Sequence, residues 1–181
     1  MTVPAALLSH ASTEHYTPQY ILDAVIACME AIDLDPCSNS RKIPNVPAAR
    51  HYTVQDNGLL RPWVGRVFLN PPFGYEVEDW FSKLFLETLE GRTTEAIILW
   101  KSATETSAWK TLTRLSCRVC FPSARVRFGG PGSDERKSPT FSPALFYVGP
   151  RPERFEEAFR HIGDVWITPK SAGRDPERGV S

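Results

Sequence analysis

Short apolar runs alternate with amphipathic segments along most of this chain. Continuous apolar runs such as 66–69 and 96–100 are typical of strands buried on both faces of a sheet. Between the runs, apolar residues recur at helical spacing, as in the stripe that begins at Val77. The predicted strands are 31–34, 66–69, 96–100, 118–121, 124–128 and 144–148, and the predicted helices are 18–29, 77–90, 104–115 and one around 155–162.

The order of these elements predicts the fold class. Strands that alternate with helices favour an α/β domain with a mostly parallel sheet and helices on both faces. The adjacent strands at 118–121 and 124–128, followed by 144–148, predict an antiparallel hairpin that closes one edge. The proline-containing polar segment 38–57 is predicted to be mostly loop, and so is 129–141.

Length and composition indicate the domain organisation. A chain of 181 residues with 41% apolar residues suits a single domain with a substantial core. We expect a flexible N-terminal arm over 1–13, one domain over 14–167, and a disordered polar tail over 168–181.

Charge and cysteine content narrow the classes of function. The chain has 21 lysines and arginines and 21 aspartates and glutamates, so its formal net charge is zero, unlike that of a non-specific polyanion binder. No apolar run is long enough for a membrane span, and the start lacks the basic region of a signal peptide. Four cysteines without regular spacing indicate a reducing compartment such as the cytoplasm and no metal site.

The clearest chemical signal is Asn70-Pro71-Pro72-Phe73, directly after the predicted strand 66–69. Proline donates no backbone N–H and fixes its own φ, so the chain leaves the sheet there in a stiff turn. Ligands of α/β sheets bind just beyond the carboxyl ends of strands. The Asn70 side-chain oxygen and the Pro71 carbonyl are two acceptors for the hydrogens of a planar amine, and Phe73 can stack on its base. Taken alone, the segment is also compatible with a turn that merely ends a strand.

Three further segments precede this one: Tyr16-Thr17-Pro18, Asp35-Pro36-Cys37 and Asp56-Asn57-Gly58-Leu59. In this order and spacing, the four segments resemble the phage-type, Dam-like family of DNA adenine N6-methyltransferases, which use S-adenosylmethionine. The resemblance covers roughly 14–150, and its specific part is Asn-Pro-Pro-Phe. It implies a Rossmann-like methyltransferase fold of reduced size, methyl transfer to adenine N6 in double-stranded DNA and, for a phage-encoded protein, a location in the bacterial host cytoplasm.

The resemblance also implies roles for individual residues. Asp35 would sit beside the amino-acid portion of the donor, Asp56 would accept from its adenine amino group, and Thr17 would help to hold its methionine end. The donor-binding set is Tyr16, Thr17, Pro18, Asp35, Cys37, Asp56 and Leu59, and the catalytic set is Asn70, Pro71, Pro72 and Phe73.

Basic residues are concentrated between 110 and 137, around the start of the polar loop 129–141. Because the target base must be reached in DNA, we interpret this segment as the DNA-facing part and the loop as a short target-recognition loop. The same charge run is also compatible with an ordinary solvated surface. The predicted DNA-binding residues are Arg125, Arg127, Arg136 and Lys137.

The chain departs from the family pattern in two places. Pro36 and Cys37 stand where a glycine-rich turn usually follows the first strand, and no acidic residue for the donor ribose is evident between Ser40 and Tyr52. Asn39 or Asn45 is a hypothetical substitute for that residue. Two alternatives stay open: a methyltransferase acting on RNA adenine or protein glutamine, and a non-catalytic DNA-binding decoy of the same fold. The sequence leaves the target site and the oligomeric state undetermined.

Overall fold

A computed structural model describes residues 16–72, 74, 77–129 and 141–168 of the chain. Within these residues, a seven-stranded sheet lies between helices. The strands are Ile32–Asp35 (β1), Ala48–His51 (β2), Gly65–Leu69 (β3), Thr93–Lys101 (β4), Arg118–Pro122 (β5), Pro143–Val148 (β6) and Gly163–Ile167 (β7). The helices are Gln19–Met29 (α1), Val77–Leu89 (α2), Ser107–Leu115 (α3) and Pro152–Phe159 (α4), with a 3-10 turn at Gly58–Leu60.

The strand order of the sheet is β2-β1-β3-β4-β6-β5-β7. The first four strands in this order are parallel, β6 runs against both β4 and β5, and β7 runs against β5. Five of the seven strands therefore run in one direction, which confirms the predicted, mostly parallel α/β architecture with an antiparallel edge. We call the end of the sheet at which these five strands finish the carboxyl rim. It is marked by Asp35, His51, Leu69, Lys101 and Pro122.

Each face of the sheet buries its own apolar cluster. Alternate residues of β3 point to opposite faces, so Phe68 packs with α1 and α4, whereas Val67 and Leu69 pack with α2 and α3. Phe155 and Phe81 are fully buried members of the two clusters. Burial of one such side chain stabilises the fold by about 1.5–3 kcal/mol, so the two helix layers hold the sheet firmly.

Two edge strands, β2 and β7, were not predicted from the sequence. The sequence of β2, Ala-Ala-Arg-His, contains no long apolar run, and its side chains are exposed or only partly buried. The strand nevertheless pairs with β1 in parallel. At the opposite edge, Trp166 and Ile167 of β7 are exposed. Edge strands are held by backbone hydrogen bonds to a single neighbour, and side-chain periodicity does not reveal such bonds.

The predicted strand at 124–128 is wrong, although the predicted antiparallel edge of the sheet is present. β5 pairs with β6 and β7, and the segment 124–128 forms no strand. Burial nevertheless alternates along this segment, because Val126 and Phe128 are buried while the residues next to them are more exposed. The segment packs on the core without a neighbouring strand, and a single bridge at Gly129 joins its end to the chain before α1.

Two helix details also differ from the prediction. α1 begins at Gln19 with Pro18 as its N-cap, one residue after the predicted start at 18, so the side chain of Thr17 is available for another contact. In α2, Phe85 and Leu89 are exposed, so the buried face of this helix is narrower than the predicted stripe. Thr106 caps α3 by accepting from a backbone N–H of the first turn.

The predicted arm 1–13, residues 130–140 of the predicted recognition loop 129–141 and residues 169–181 of the predicted tail 168–181 fall outside the described residues. Thr168 is described, is buried, and donates its hydroxyl to the Ser116 carbonyl at 2.5 Å. In the described part of the chain, no helix is long and apolar enough to cross a membrane.

We expect Gly163→Ala to destabilise the protein by about 1–3 kcal/mol. A Cβ atom at this position would lie 1.9 Å from the carbonyl oxygen of Phe121, and both residues belong to the paired backbones of β5 and β7. The urea midpoint measures the effect. Gly129→Ala is a matched control, because the nearest atom to its added Cβ is 3.8 Å away. Equal midpoints for the two variants would contradict the pairing of β7.

Candidate active site

Asn70 follows β3 directly at the carboxyl rim and is half-buried. Pro71 is buried, whereas Pro72 and Gly74 are exposed, so the turn is anchored on one side and open on the other. β3 ends at Leu69, immediately before this turn, as the two prolines predict. Phe73 lies outside the described residues.

Two contacts from distant parts of the chain hold Asn70. Its side-chain nitrogen Nδ2 donates to the hydroxyl oxygen of Thr17 at 3.3 Å. Its backbone carbonyl accepts from the thiol of Cys37 at 3.1 Å. Thr17 precedes α1 and Cys37 follows β1, so three of the four segments singled out in the sequence meet at Asn70.

The thiol of Cys37 is a hydrogen-bond donor to this turn. Burial raises the pKa of Cys37 well above its usual range, so the sulfur keeps its proton near neutral pH. The thiolate is the nucleophilic form of cysteine, and this environment disfavours it. Cys37 therefore helps to fix the Asn70 carbonyl and is poorly suited to attack a substrate.

Asn45 clamps the backbone of Thr17. Its Oδ1 accepts from the Thr17 N–H at 2.8 Å, and its Nδ2 donates to the Thr17 carbonyl at 3.1 Å. Asn39 accepts from the Asn45 N–H at 3.0 Å and donates to the Tyr16 hydroxyl at 2.8 Å. No spacing or motif in the sequence links these residues, so the network was not predicted. The amides of Asn39 and Asn45, suggested above for the donor ribose, are therefore engaged within the protein.

Asp35 ends β1 and is only 3% exposed. One carboxyl oxygen accepts from the Cys37 N–H at 3.2 Å. Burial raises the pKa of Asp35 from 3.8 to about 6, against the lowering effect of its hydrogen bonds. The Asp35 carbonyl accepts from the Tyr52 N–H at 2.9 Å, which extends the pairing of β1 with the chain after β2. The carboxyl group is thus fixed at the carboxyl rim and carries a charge above about pH 6.

Asp56 closes the loop that follows β2. Its Oδ2 accepts from the backbone N–H and the hydroxyl of Thr53, each at 2.9 Å, and its Oδ1 is ion-paired with Arg41. The bonds from Thr53, followed by Arg41, lower the pKa of Asp56. Both carboxylate oxygens have partners within the protein, and the largely exposed Arg41 side chain is the more easily displaced of them.

The 3-10 turn after Asp56 rests on the corner that follows β1. A Cβ atom at Gly58 would lie 2.0 Å from the Pro36 carbonyl oxygen, so only glycine permits this approach. The indole nitrogen of the buried Trp63 donates to the Gly58 carbonyl at 2.8 Å and fixes the turn to the core. Leu59 is half-buried and packs against the core. The segments that contain Asp35 and Asp56 are therefore neighbours.

An open groove of about 510 Å³ lies at the carboxyl rim beside these segments. Its walls come from the loops after β1 and β2, and they carry amide, hydroxyl and guanidinium groups. Such walls suit a ligand rich in hydrogen-bonding groups. The lining residues are Asn39, Ser40, Arg41, Thr53 and Gln55.

β5 ends and β6 begins at the carboxyl rim. We call the chain between them, residues 123–142, the basic connection; the structure describes its parts 123–129 and 141–142. Gly129 and Tyr16 exchange two backbone hydrogen bonds, of 3.0 and 3.1 Å, which place this part of it beside the Thr17 turn. Its far end is held by Ser102, which donates to the Ser142 carbonyl. Of the predicted DNA-binding residues, Arg125 and Arg127 are exposed here, while Arg136 and Lys137 lie outside the described residues.

We expect Asp35→Asn to stabilise the protein at neutral pH by up to roughly 3 kcal/mol, at about 1.36 kcal/mol for each pH unit between 3.8 and about 6. The folded state holds the proton of Asp35 more tightly than the unfolded chain does. The buried charge of Asp35 therefore does not lower the free energy of unfolding below pH 3.8. It lowers this free energy increasingly as the pH rises from 3.8 to about 6, and by a constant amount above that. Urea unfolding at pH 4, 5, 6 and 7.5 measures the difference between variant and wild type.

Asp33→Asn is the matched control for this experiment. Arg66 donates to the carboxylate of Asp33 and lowers its pKa, so removing that charge should destabilise the protein at neutral pH. A gain in stability for Asp35→Asn that does not depend on pH would contradict the raised pKa of Asp35.

The family of the chain follows from comparison with known proteins. A family model described as DNA N-6-adenine-methyltransferase (Dam) matches residues 7–154. The match contains the four segments gathered at the carboxyl rim and the strands β1 to β6. Among curated proteins, none matches the chain. The sheet is a reduced Rossmann-like methyltransferase fold, and the chain belongs to the Dam family of DNA N-6-adenine-methyltransferases.

Proposed function

We propose that this chain transfers a methyl group from S-adenosylmethionine to the N6 amine of adenine in double-stranded DNA. The observation that carries the proposal is the position of Asn70. It lies at the carboxyl rim between the groove walls after β1 and β2 on one side and the basic connection on the other. This position suits a reaction in which a small donor and a nucleobase meet at one amide side chain.

The residues around the groove fit a nucleoside that carries a cationic sulfur. When bound, the donor supplies an electrophilic methyl carbon on its sulfonium. Asp35 would hold the ammonium group of the donor's amino-acid portion, because a nearby positive charge favours the ionised form of a buried carboxyl. Asp56 would accept from the donor adenine once Arg41 releases Oδ1. The remaining members of the donor set would be Tyr16, Pro18, Cys37 and Leu59.

Asn70 and Pro71 would prepare the target amine. Its lone pair is delocalised into the adenine ring, which makes the free amine a weak nucleophile. The Asn70 Oδ1 and the Pro71 carbonyl would each accept one amine hydrogen and draw the nitrogen toward tetrahedral geometry. The lone pair would then form the N–C bond as the donor's C–S bond breaks. The electrons of the C–S bond would remain on sulfur, and the nitrogen would lose a proton to water. Pro72 would stiffen the turn, and Phe73 would stack on the base.

The basic connection would hold the DNA. With a net charge of zero, attraction to the phosphates has to come from a local patch. Arg125 and Arg127 are exposed at the same rim as Asn70 and would contact phosphates, together with Arg136 and Lys137. An adenine in a duplex would have to be flipped out of the stack to reach Asn70.

We expect Asn70→Ala to lose about a hundredfold or more of the methylation rate while it keeps its fold and its affinity for the donor. The alanine cannot accept an amine hydrogen, but it leaves the groove walls untouched. Nucleoside analysis of treated DNA for N6-methyladenine measures the rate, and calorimetry measures donor binding. Gln19→Ala removes an exposed side-chain amide on α1 and is the control.

The same assay decides between substrates. A methyl-labelled donor is offered to duplex DNA, RNA and protein, and the proposal requires the label to enter adenine of DNA. Label found only in RNA or protein, or an Asn70→Ala variant as active as the wild type, would overturn it.

We expect the double variant Arg125→Gln, Arg127→Gln to bind duplex DNA more weakly and with a shallower dependence on salt. Each phosphate contact contributes a slope of about 0.9 in a plot of log affinity against log salt, so the slope should fall by roughly 1–2. The charge-matched comparison is Lys110→Gln, Arg114→Gln, which removes two charges of the same basic segment from α3 instead of from the basic connection. Equal slopes for the two double variants would exclude Arg125 and Arg127 from the DNA contact.

A further inference from the structure

The polar groups of Thr17 face the protein rather than the groove. Its N–H and its carbonyl are both bonded to the Asn45 amide, and its hydroxyl oxygen accepts from Asn70. The residue is only 2% exposed. It does not line the groove, whose walls are formed by later residues. These contacts tie Thr17 to Asn70 more closely than to a molecule in the groove.

The contact with Thr17 determines how the Asn70 amide is oriented. An amide group is planar, with a nitrogen that only donates and an oxygen that only accepts. Because Nδ2 of Asn70 faces the Thr17 hydroxyl, Oδ1 is turned away from Thr17. The Cys37 thiol fixes the same residue through its backbone carbonyl, so backbone and side chain are held independently. Reversal of the amide would present hydrogens to the target amine, and two donors would then face each other.

Asn45 holds Thr17 in the position that this contact needs. Its amide pairs with both backbone groups of Thr17, much as a neighbouring strand would. The Asn45 N–H is itself bonded to Asn39, which is part of the groove wall. A continuous chain of hydrogen bonds therefore runs from the groove wall through Asn45 and Thr17 to Asn70.

From this geometry we propose that Thr17 is a positioning residue, held by Asn45, that orients the Asn70 amide toward the target amine. The inference rests on the proposed function, since it places the target amine at Asn70. It gives Thr17 a different partner from the one that the family resemblance implies, the methionine end of the donor. The two roles differ in what they predict: a positioning residue acts on the transfer step, whereas a donor-binding residue acts on donor affinity.

The test compares Thr17→Val with Thr17→Ser. Valine keeps the shape and removes the hydroxyl, so kcat should fall about ten- to a hundredfold while the donor Kd and the KM for DNA stay unchanged. Serine restores the hydroxyl and should restore most of kcat. Asn45→Ala should lower kcat in the same way, because it releases the Thr17 backbone. Thr113→Val on α3 removes a hydroxyl bonded to the Trp109 carbonyl and is the control.

A second readout does not depend on turnover. In spectra of ¹⁵N-labelled protein, the Asn70 side-chain NH2 signal is assigned by its absence in Asn70→Ala. It should shift in Thr17→Val and Asn45→Ala and remain in place in Thr113→Val. If the wild type methylates no DNA, the proposed function fails, and this signal still tests the contact between Thr17 and Asn70. If Thr17→Val does not fold, Thr17→Ala and Thr17→Ser form the matched pair.

Two outcomes would overturn the inference in an active enzyme. One is a weaker donor Kd with an unchanged kcat in Thr17→Val, which would assign Thr17 to the donor. The other is an Asn70 NH2 signal that is the same in Thr17→Val as in the wild type. A loss of kcat with an unchanged donor Kd, a shifted NH2 signal and rescue by serine would support the positioning role.

Discussion

The parallel pairing of β1 with β3 is the constraint on which the rest of this molecule depends. Leu34 lies opposite Val67, so the two strands end near each other, with Asp35 and Asn70 close to the carboxyl rim. Two prolines then prevent β3 from continuing, since neither can donate to a neighbouring strand. The polar groups after both strands therefore have to find partners outside the sheet, and they find them in one another and in the turn before α1.

The free-energy cost of this arrangement to folding lies mainly at Asp35. A buried carboxyl whose pKa is raised by burial destabilises the folded state at neutral pH, and local hydrogen bonds offset only part of that cost. The amides of Asn39 and Asn45 are engaged within the protein, and the clamp of Asn45 on Thr17 replaces the pairing that a further strand would supply. A buried carboxyl with a raised pKa is typical of a site kept for binding rather than for stability.

The antiparallel part of the sheet positions the exposed arginines on the opposite side of Asn70 from the groove. Because β5 ends and β6 begins at the carboxyl rim, both described ends of the connection between them start from that rim. The polar groove thus lies beside β1 and β2, the exposed arginines beside β5, and Asn70 between them. A donor and a polyanion would approach from opposite sides and meet at the amide. The bridge between Tyr16 and Gly129 ties the two sides together.

The sequence by itself determined the features that depend on neighbouring residues. The apolar runs predicted five of the seven strands, the prolines predicted the turn at Asn70, and four short segments identified the family. The tertiary structure alone decided that Asn45 clamps Thr17, that Cys37 donates to Asn70, and that 124–128 packs without a strand partner. Turn and strand preferences are local properties of the chain. The contacts of Asn45 with Thr17 and of Cys37 with Asn70 join residues 28 and 33 positions apart. They exist only because the strand order brings those residues to one rim.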